Sequence, residues 1–303
     1  MKRGALYVAA CYAAWGVLPL FWKTLGAVDS VYVLSARIFW SMAMMLLLLT
    51  VRREWSCVRE VLGKRTEMLR LAGAGALITV NWGLYIWAVN NAHILDASLA
   101  YYMMQPLSAV LGTELFRERL TRLQWFATAL AATGIVIASF RFGVFPWVAV
   151  VIAGSFALYS AVKKTVKTDA NAALFIETAA VTPLALLWIV VADIRGGGAV
   201  GVLHGAQWLL LPLAGVVTTI PLMLFAVGIR TTSLSLSGVL MYMNPTLQLL
   251  LGVLAFHEEF TLTHGILFGF VWTSLAIFVI SDRLKREKTM KMMKKMEESE
   301  PCE

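Results

Sequence analysis

The sequence has little charge and few cysteines. Charged residues make up 15% of its 303 residues, whereas soluble domains carry about 25%. Its three cysteines, Cys11, Cys57 and Cys302, are scattered along the chain, which excludes a disulfide framework. A Gly-rich phosphate-binding loop and a His-Glu-x-x-His motif are also missing, so neither ATP hydrolysis nor zinc catalysis is expected. We therefore predict no metal and no cofactor.

Apolar side chains, in contrast, are abundant. Hydrophobic residues account for 59% of the chain, against about 45–50% in soluble domains. One soluble core could not bury this much apolar surface, so the lipid bilayer is the expected solvent. The net charge of +8 would suggest nucleic acid for a soluble protein, but in a membrane protein its placement matters more. We predict membrane lipid and no nucleic acid as partners.

Ten apolar runs are long enough to cross a bilayer, which needs about 20 residues. The sequence therefore predicts an all-α polytopic membrane protein with ten transmembrane helices. Met1-Lys-Arg before the first run imitates a signal peptide, but Trp15, Gly16, Pro19 and the later runs favour an uncleaved helix. The ten predicted spans are 4–22, 31–50, 69–90, 95–115, 124–140, 144–162, 172–192, 207–227, 234–255 and 262–281.

Basic residues are distributed unevenly between the two sides of these spans. Of the 26 Lys and Arg, 21 fall in the N-terminal segment, the alternate connections that follow it and the C-terminal tail, and 3 fall in the opposite connections. Positive charge is retained on the cytoplasmic side of membrane proteins. We expect a multi-pass protein of the cell inner membrane with both termini in the cytoplasm.

The chain also repeats itself. Tyr102-Met-Met-Gln-Pro106 aligns with Met241-Tyr-Met-Asn-Pro245 at an offset of 139 residues, which places Ser98 on Ser237. Residues 1–142 and 143–285 then form two five-helix units, followed by a basic and acidic cytoplasmic tail at 286–303. Because five is odd, the second unit is inverted in the membrane, as in transporters that work by alternating access. Gene duplication without transport is the alternative.

Several segments carry a resemblance to a known family over essentially the whole chain. They include Arg37-Ile-Phe-Trp-Ser41, Asn81-Trp-Gly-Leu-Tyr85, Glu118-Arg-Leu120, Ile176-Glu-Thr178 and Asn244-Pro-Thr246. The sequence resembles the RarD subgroup of EamA-type transporters in the drug/metabolite transporter superfamily. This resemblance implies carriage of amino acids, their analogues or other small metabolites. Gln105-Pro106 replaces the subgroup's usual Asn-Pro, and Tyr32 and Ala36 replace its usual acidic residue and His.

Two charged residues fall well inside the predicted spans. In the alignment of the two units, Arg37 lies opposite Thr178, one residue from Glu177, so the two charges should lie at mirrored depths. Such residues usually face protein or a water-filled cavity; the alternative is that each satisfies carbonyls or hydroxyls between helices. Glu177 is the candidate for proton coupling, because burial penalises its charged form. Arg37 keeps its proton and is expected to attract a solute carboxylate or to close an outer gate.

Polar and aromatic side chains gather near the middle of four spans, around Pro106, Pro221 and Pro245. Mid-helix proline frees a carbonyl that needs a polar partner, so these side chains either repair kinks or bind a solute. We predict a small-molecule site formed by Trp15, Arg37, Asn81, Tyr85, Tyr101, Gln105, Thr218, Thr219, Tyr242 and Asn244.

Spans 5 and 10 carry few central polar residues, so we expect them to lie outside the cavity, facing lipid or the partner subunit of a homodimer. The sequence as a whole predicts a secondary transporter of a small organic solute, working as an exporter, and no enzyme activity; Glu177 is the coupling residue if transport is driven by protons. Uptake or facilitated exchange is the alternative within transport. An integral membrane enzyme or lipid-handling protein is the remote alternative, since that would need ionisable groups converging at one membrane depth.

Overall fold

The computed structural model describes residues 2–90, 94–142, 147–255 and 262–297, and the described chain is helical without any strand. A 3-10 turn, Gly205–Leu209, precedes the ninth helix. The α-helices are α1 (Lys2–Lys23), α2 (Ser30–Arg52), α3 (Trp55–Leu62), α4 (Arg65–Asn90), α5 (Ile94–Phe116), α6 (Arg122–Phe142), α7 (Trp147–Thr165), α8 (Ala170–Ile194), α9 (Leu210–Thr231), α10 (Leu234–Leu240), α11 (Met243–Ala255) and α12 (Leu262–Glu297).

Seven helical segments within the described ranges are long and apolar enough to cross a membrane. They lie in α1, α2, α4, α7, α8, α12 and in α9 with its preceding 3-10 turn. The chain is therefore an all-helical, multi-pass membrane protein. The predicted spans 95–115, 124–140 and 234–255 are also helical, in α5, α6 and α10 with α11, but they are not among these seven.

The predicted span 234–255 is interrupted. The chain turns at Met241 and Tyr242, which separates α10, 7 residues long, from α11, 13 residues long. Pro245 consequently lies in the first turn of α11. N–H groups in a first turn have no partner within the helix, so the missing N–H of proline costs no hydrogen bond there. The prediction of one continuous helix here is wrong. The corresponding helix of the first half, α5, continues through Pro106.

The helices pack in matched pairs. α1 packs on α9 as α4 packs on α7, and α2 packs on α9 as α4 packs on α8. In the same way α5 packs on α7 as α11 packs on α1, and α5 packs on α10, its own counterpart. α2 also packs on α8, and α6 on α12. Exchanging the first five predicted spans for the last five leaves this set of main neighbours unchanged.

Two glycines allow close contact with the backbone of a neighbouring helix. A Cβ added at Gly75 of α4 would come within 2.4 Å of the carbonyl oxygen of Glu177 on α8. At Gly215 of α9 it would come within 2.5 Å of the Trp40 carbonyl carbon on α2. The two positions are 140 residues apart, close to the repeat offset in the sequence. Gly75 lies in the α4–α8 contact and Gly215 in the α9–α2 contact, which are a matched pair.

One end of the bundle gathers the connections that are rich in Lys and Arg. Glu54, before α3, accepts a hydrogen bond of 2.9 Å from Asn171 at the start of α8. Glu67, at the start of α4, accepts one of 3.0 Å from Thr168 in the α7–α8 connection. Glu118, after α5, accepts one of 2.7 Å from Ser235 at the start of α10. These connections therefore lie at the same end.

The opposite end is formed by the α1–α2 connection and the segment after α8. Leu25 and Val28 pack with Ala199 and Leu203 in one apolar cluster. At the start of α2, Tyr32 donates a hydrogen bond of 3.1 Å from its hydroxyl to Asp193. This end carries few charges.

The polar C-terminal segment was predicted as a tail. The structure continues α12 through it as far as Glu297, and residues 298–303 lie outside the described part of the chain. The helix therefore does not end at residue 286, where the tail was predicted to begin.

Candidate solute-binding cavity

A cavity of about 720 Å³ opens between α1, α2, α4, α5 and the second-half helices α7, α9 and α10–α11. It extends from the middle of the bundle to the α1–α2 connection, where its wall includes Lys23, Gly26 and Ser30. Sites for small molecules usually have volumes of about 300–1,000 Å³. The cavity is therefore large enough for an organic solute and is reached from the end that carries few charges.

One side of the cavity is polar. Tyr85 of α4 and Tyr101 of α5 face each other with ring centroids 5.7 Å apart and planes inclined by 67°. On α11, the Gln248 amide donates a hydrogen bond of 2.7 Å to the Asn244 side-chain oxygen, and Gln248 also hydrogen-bonds Tyr101. Hydroxyl and amide groups from both halves of the chain thus line one continuous surface.

The inner limit of the cavity is a layer of aromatic rings. Trp15 and Phe156, both on the wall, have centroids 5.8 Å apart in an edge-to-face arrangement. Beneath them, Phe225 lies 5.9 Å from Tyr159 and 6.0 Å from Tyr12. Ring pairs at these separations attract one another beyond the area they bury. They close the cavity at its deep end.

Arg37 lies in the cavity wall between two tryptophans. Its guanidinium carbon is 3.8 Å from the ring centroid of Trp82 on α4 and 5.2 Å from that of Trp22 on α1. Both distances are within the range for a cation–π interaction. No described residue accepts a hydrogen bond from its buried Nε atom. The cation is therefore held by ring faces, without a carboxylate partner among the described residues.

Sequence reasoning did not select Trp22 or Trp82. Trp22 precedes Lys23 near a predicted membrane surface, where tryptophan commonly serves as an interfacial anchor. Asn81 and Tyr85, four residues apart, form a stripe along one face of their helix, and Trp82 lies off that stripe by helical spacing. The cavity wall is broader than that stripe and takes in Asn81, Trp82, Tyr85 and Ile86 together, which only the packing of the neighbouring helices determines.

Most of the predicted binding residues do line this cavity, although lining alone does not assign them a role. Asn81 also ties α4 to α7, because its amide donates a hydrogen bond of 2.6 Å to the Ile152 carbonyl. The predicted residues found on the wall are Trp15, Arg37, Asn81, Tyr85, Tyr101, Thr218 and Asn244.

Gln105, Thr219 and Tyr242 are not on the wall, so the structure corrects their predicted placement. Gln105 donates a hydrogen bond of 3.2 Å to Thr128 of α6 and accepts one of 3.2 Å from the Tyr242 hydroxyl. The α10 backbone approaches closely at Gly238, where an added Cβ would lie 3.1 Å from the Gln105 Cα. Because the helices lie this close, Gln105 and Tyr242 form hydrogen bonds between helices and do not face the cavity. Thr219 is fully buried.

Glu177 lies outside the cavity and has a partner. Its Oε1 is 2.6 Å from the Nζ of Lys163, and both side chains are buried. The Tyr159 hydroxyl also donates to Glu177, at 3.5 Å. Lys163 was not among the charged residues predicted inside the spans, because the predicted span ends at residue 162, whereas α7 extends to Thr165 and carries Lys163 into the bundle.

A second, small pocket of about 20 Å³ touches Glu177, enough for one water molecule. Trp82 and Thr218 line both this pocket and the large cavity. The carboxylate is therefore separated from the solute-sized space by one layer of side chains.

No described residue of α6 or α12 lines the cavity. The two helices pack on each other, and Trp125, Phe126 and Trp272 remain exposed on them. The prediction that spans 5 and 10 lie away from the cavity agrees with this geometry.

The fold and the cavity together define a class: a helical, multi-pass membrane protein with a solute-sized space between its two halves. Comparison with known proteins identifies the family. The model of the EamA-like transporter family matches residues 2–140. The chain is 38% identical to the transporter YojE of Bacillus subtilis, over 92% of this chain and 94% of that protein. It is 34% identical to the protein RarD of Escherichia coli, over 96% and 98%.

The chain belongs to the EamA-type transporters of the drug/metabolite transporter superfamily, in the RarD subgroup, and is a membrane transporter. The resemblance seen in the sequence is thereby confirmed. One crystal structure of a protein shares the fold with a TM-score of 0.72 and 19% identity, covering 92% of this chain and 98% of that one.

Proposed function

We propose that the protein is a secondary transporter that moves a small organic solute across the inner membrane by alternating access. The observation that carries this proposal is the cavity: it is open at one end of the bundle and closed at the other by the aromatic layer and the Lys163–Glu177 pair. A second conformation, closed at the first end and open at the second, would complete a transport cycle.

Two inverted five-helix halves would supply that second conformation. Support comes from the matched helix pairs, which are unchanged when the halves are exchanged. Gly75 and Gly215 add a residue-level match at equivalent interfaces. The interruption at Met241 and Tyr242 lies beside the cavity, and interrupted helices are typical of transporter sites.

We place the Lys- and Arg-rich end in the cytoplasm, together with both termini. The support is the positive charge of these connections and the hydrogen bonds that hold them at one end of the bundle. In this orientation the cavity of the present conformation faces the outside.

Opening toward the cytoplasm would have to separate the contacts at that end. Glu118 accepts hydrogen bonds from the backbone N–H groups of Leu234 and Ser235 at the start of α10, at 2.6 and 3.1 Å. Lys164 lies 3.8 Å from Glu118. Together with the Lys163–Glu177 pair, these contacts form the proposed inner gate.

We propose export as the direction, and Glu177 as the group that exchanges a proton if transport is proton-coupled. In the present conformation Lys163 stabilises the Glu177 carboxylate, so protonation would accompany opening of the pair. Uptake or facilitated exchange by the same cavity is the alternative. The exposed side chains of α6 and α12 are proposed to face lipid, or a second copy in a homodimer.

A solute screen tests the function. The purified protein is placed in liposomes, and uptake of labelled amino acids, their analogues and small drugs is measured with and without an imposed pH gradient. We expect one chemical class to move in a saturable manner, and to accumulate only with the gradient if protons are coupled. Protein-free liposomes are the control. Movement no faster than in the control for every solute tested would contradict the proposal.

A further inference from the structure

We propose that Arg37, between Trp22 and Trp82, binds the carboxylate of a monoanionic solute, whose apolar or aromatic body lies against the rings of the cavity wall. This inference rests on the proposed function, because it assigns the chemical class of solute to the same cavity.

The first support is the state of the Arg37 charge. Arg37 is only partly exposed, and a charge that is partly removed from water is costly unless it is paired and hydrogen-bonded. Guanidinium carries five N–H donors, and the faces of Trp22 and Trp82 attract the cation without replacing all of these hydrogen bonds. The Nε atom is buried and finds no acceptor among the described residues. A bound carboxylate would supply both the opposite charge and the acceptors.

The second support is the charge of the wall. Among the described residues that line the cavity, Arg37 and Lys23 are basic and none is acidic. The cavity also lies within a low-dielectric bundle, where one unbalanced charge has a long reach. An anionic solute is therefore favoured and a cationic solute is opposed.

The third support is the shape of the surroundings of Arg37. Trp15 and Phe156 offer ring faces deeper in the cavity, while Tyr101 lies within electrostatic range of the guanidinium. Asn244 and Gln248 provide amides on the opposite helix. One guanidinium flanked by rings matches a single carboxylate on an apolar body. A phosphate ester would call for several fixed cations around it.

A set of three nearly isosteric ligands tests the charge preference directly. Phenylacetate, phenylacetamide and phenethylamine share an aromatic body and differ in the charge of the head group. Binding of each to the purified full-length protein is measured by calorimetry at low and at high salt. We expect phenylacetate to bind at least tenfold more tightly than the amide, and the amine to bind least. Equal binding of the three ligands, or a preference for the amine, would overturn the proposal. This test needs only the wild-type protein.

Substitutions then test whether the preference for the anionic ligand depends on Arg37. Arg37→Gln should weaken phenylacetate binding at least tenfold and change phenylacetamide binding less than twofold, while Arg37→Lys should retain part of the preference. Arg52→Gln, at the exposed end of the same helix, is the matched control and should bind like the wild type. An unchanged preference in a folded Arg37→Gln protein would overturn the assignment.

Counterflow in proteoliposomes separates this inference from the proposed function. Saturable movement of phenylacetate supports both. Tight, Arg37-dependent binding without movement upholds the carboxylate subsite and contradicts transport of this ligand class. Movement of the amide or the amine at the rate of the anion upholds transport and overturns the subsite.

Discussion

Lys163 and Glu177 form an ion pair inside the bundle, with Nζ and Oε1 2.6 Å apart and both side chains almost completely buried. It joins the C-terminal end of α7 to the first half of α8. Close to it, Gly75 on α4 contacts the Glu177 backbone. The pair therefore lies where three helices must separate if the proposed inner gate opens.

Removing one member of this pair should destabilise the protein, because the remaining charge would be buried without a partner, at a cost of about 3–5 kcal/mol. We expect Lys163→Met and Glu177→Gln each to lower the apparent Tm in detergent by several degrees. The double variant Lys163→Met/Glu177→Leu should recover most of the loss. Lys64→Met, which breaks the exposed Lys64–Glu60 pair, serves as the control and should have almost no effect. If Lys163→Met and Glu177→Gln lowered the apparent Tm no more than Lys64→Met does, the account would be contradicted.

The helices of the fold could be predicted from the length of the apolar runs. The described part of each predicted span is helical in the structure, apart from the turn at Met241 and Tyr242, because a helix satisfies the backbone hydrogen bonds of an apolar segment in lipid. The interruption at Met241 and Tyr242 could not be predicted. Pro106 and Pro245 occupy matching positions in the repeat, yet only the second lies beside a break.

The candidate site was harder to predict, since it depends on how each helix is rotated. Tyr101 and Gln105 share a helix face by spacing, but the close approach of α10 covers Gln105 and leaves Tyr101 on the cavity wall. Lys163 was missed because α7 runs three residues beyond the predicted span, to Thr165. No local sequence signal distinguished either outcome.

The close helix contacts at Gly75 and Gly215 should not tolerate a methyl group. Alanine is favoured over glycine in a helix by about 1 kcal/mol, but overpacking costs about 1–3 kcal/mol. We expect Gly75→Ala and Gly215→Ala to lower the apparent Tm. Gly73→Ala is the matched control, since no described atom lies within 4 Å of its added Cβ, and it should leave Tm unchanged or raise it. Equal behaviour of all three would argue against these contacts.

Thiol labelling should distinguish wall residues from buried links. In a background without native cysteines, Asn244→Cys should react with a small water-soluble maleimide, because Asn244 lines the cavity. Gln105→Cys should remain unlabelled, since Gln105 is fully buried between helices. Denatured samples of both variants control for intrinsic reactivity. Labelling of Gln105→Cys at the rate of Asn244→Cys would show that the cavity extends beyond the described wall.

Reporter fusions test the proposed orientation. A fusion after Glu297 should be active with a cytoplasmic reporter, because the Lys- and Arg-rich end is placed inside. A fusion after Gly201, in the α8–α9 connection at the other end, should be active only with a reporter that functions outside. The opposite pattern at both positions would reverse the direction in which the present cavity faces.

The central claim, that the solute crosses through the cavity, is tested most directly by blocking it. Tyr85→Cys, in a background without native cysteines, is placed in liposomes, and counterflow of a transported solute is measured before and after alkylation with a bulky maleimide. Ile194→Cys, exposed at the end of α8, is alkylated in parallel as the control. We predict that alkylation stops counterflow in Tyr85→Cys and leaves the control unchanged. Full counterflow through alkylated Tyr85→Cys would contradict the account.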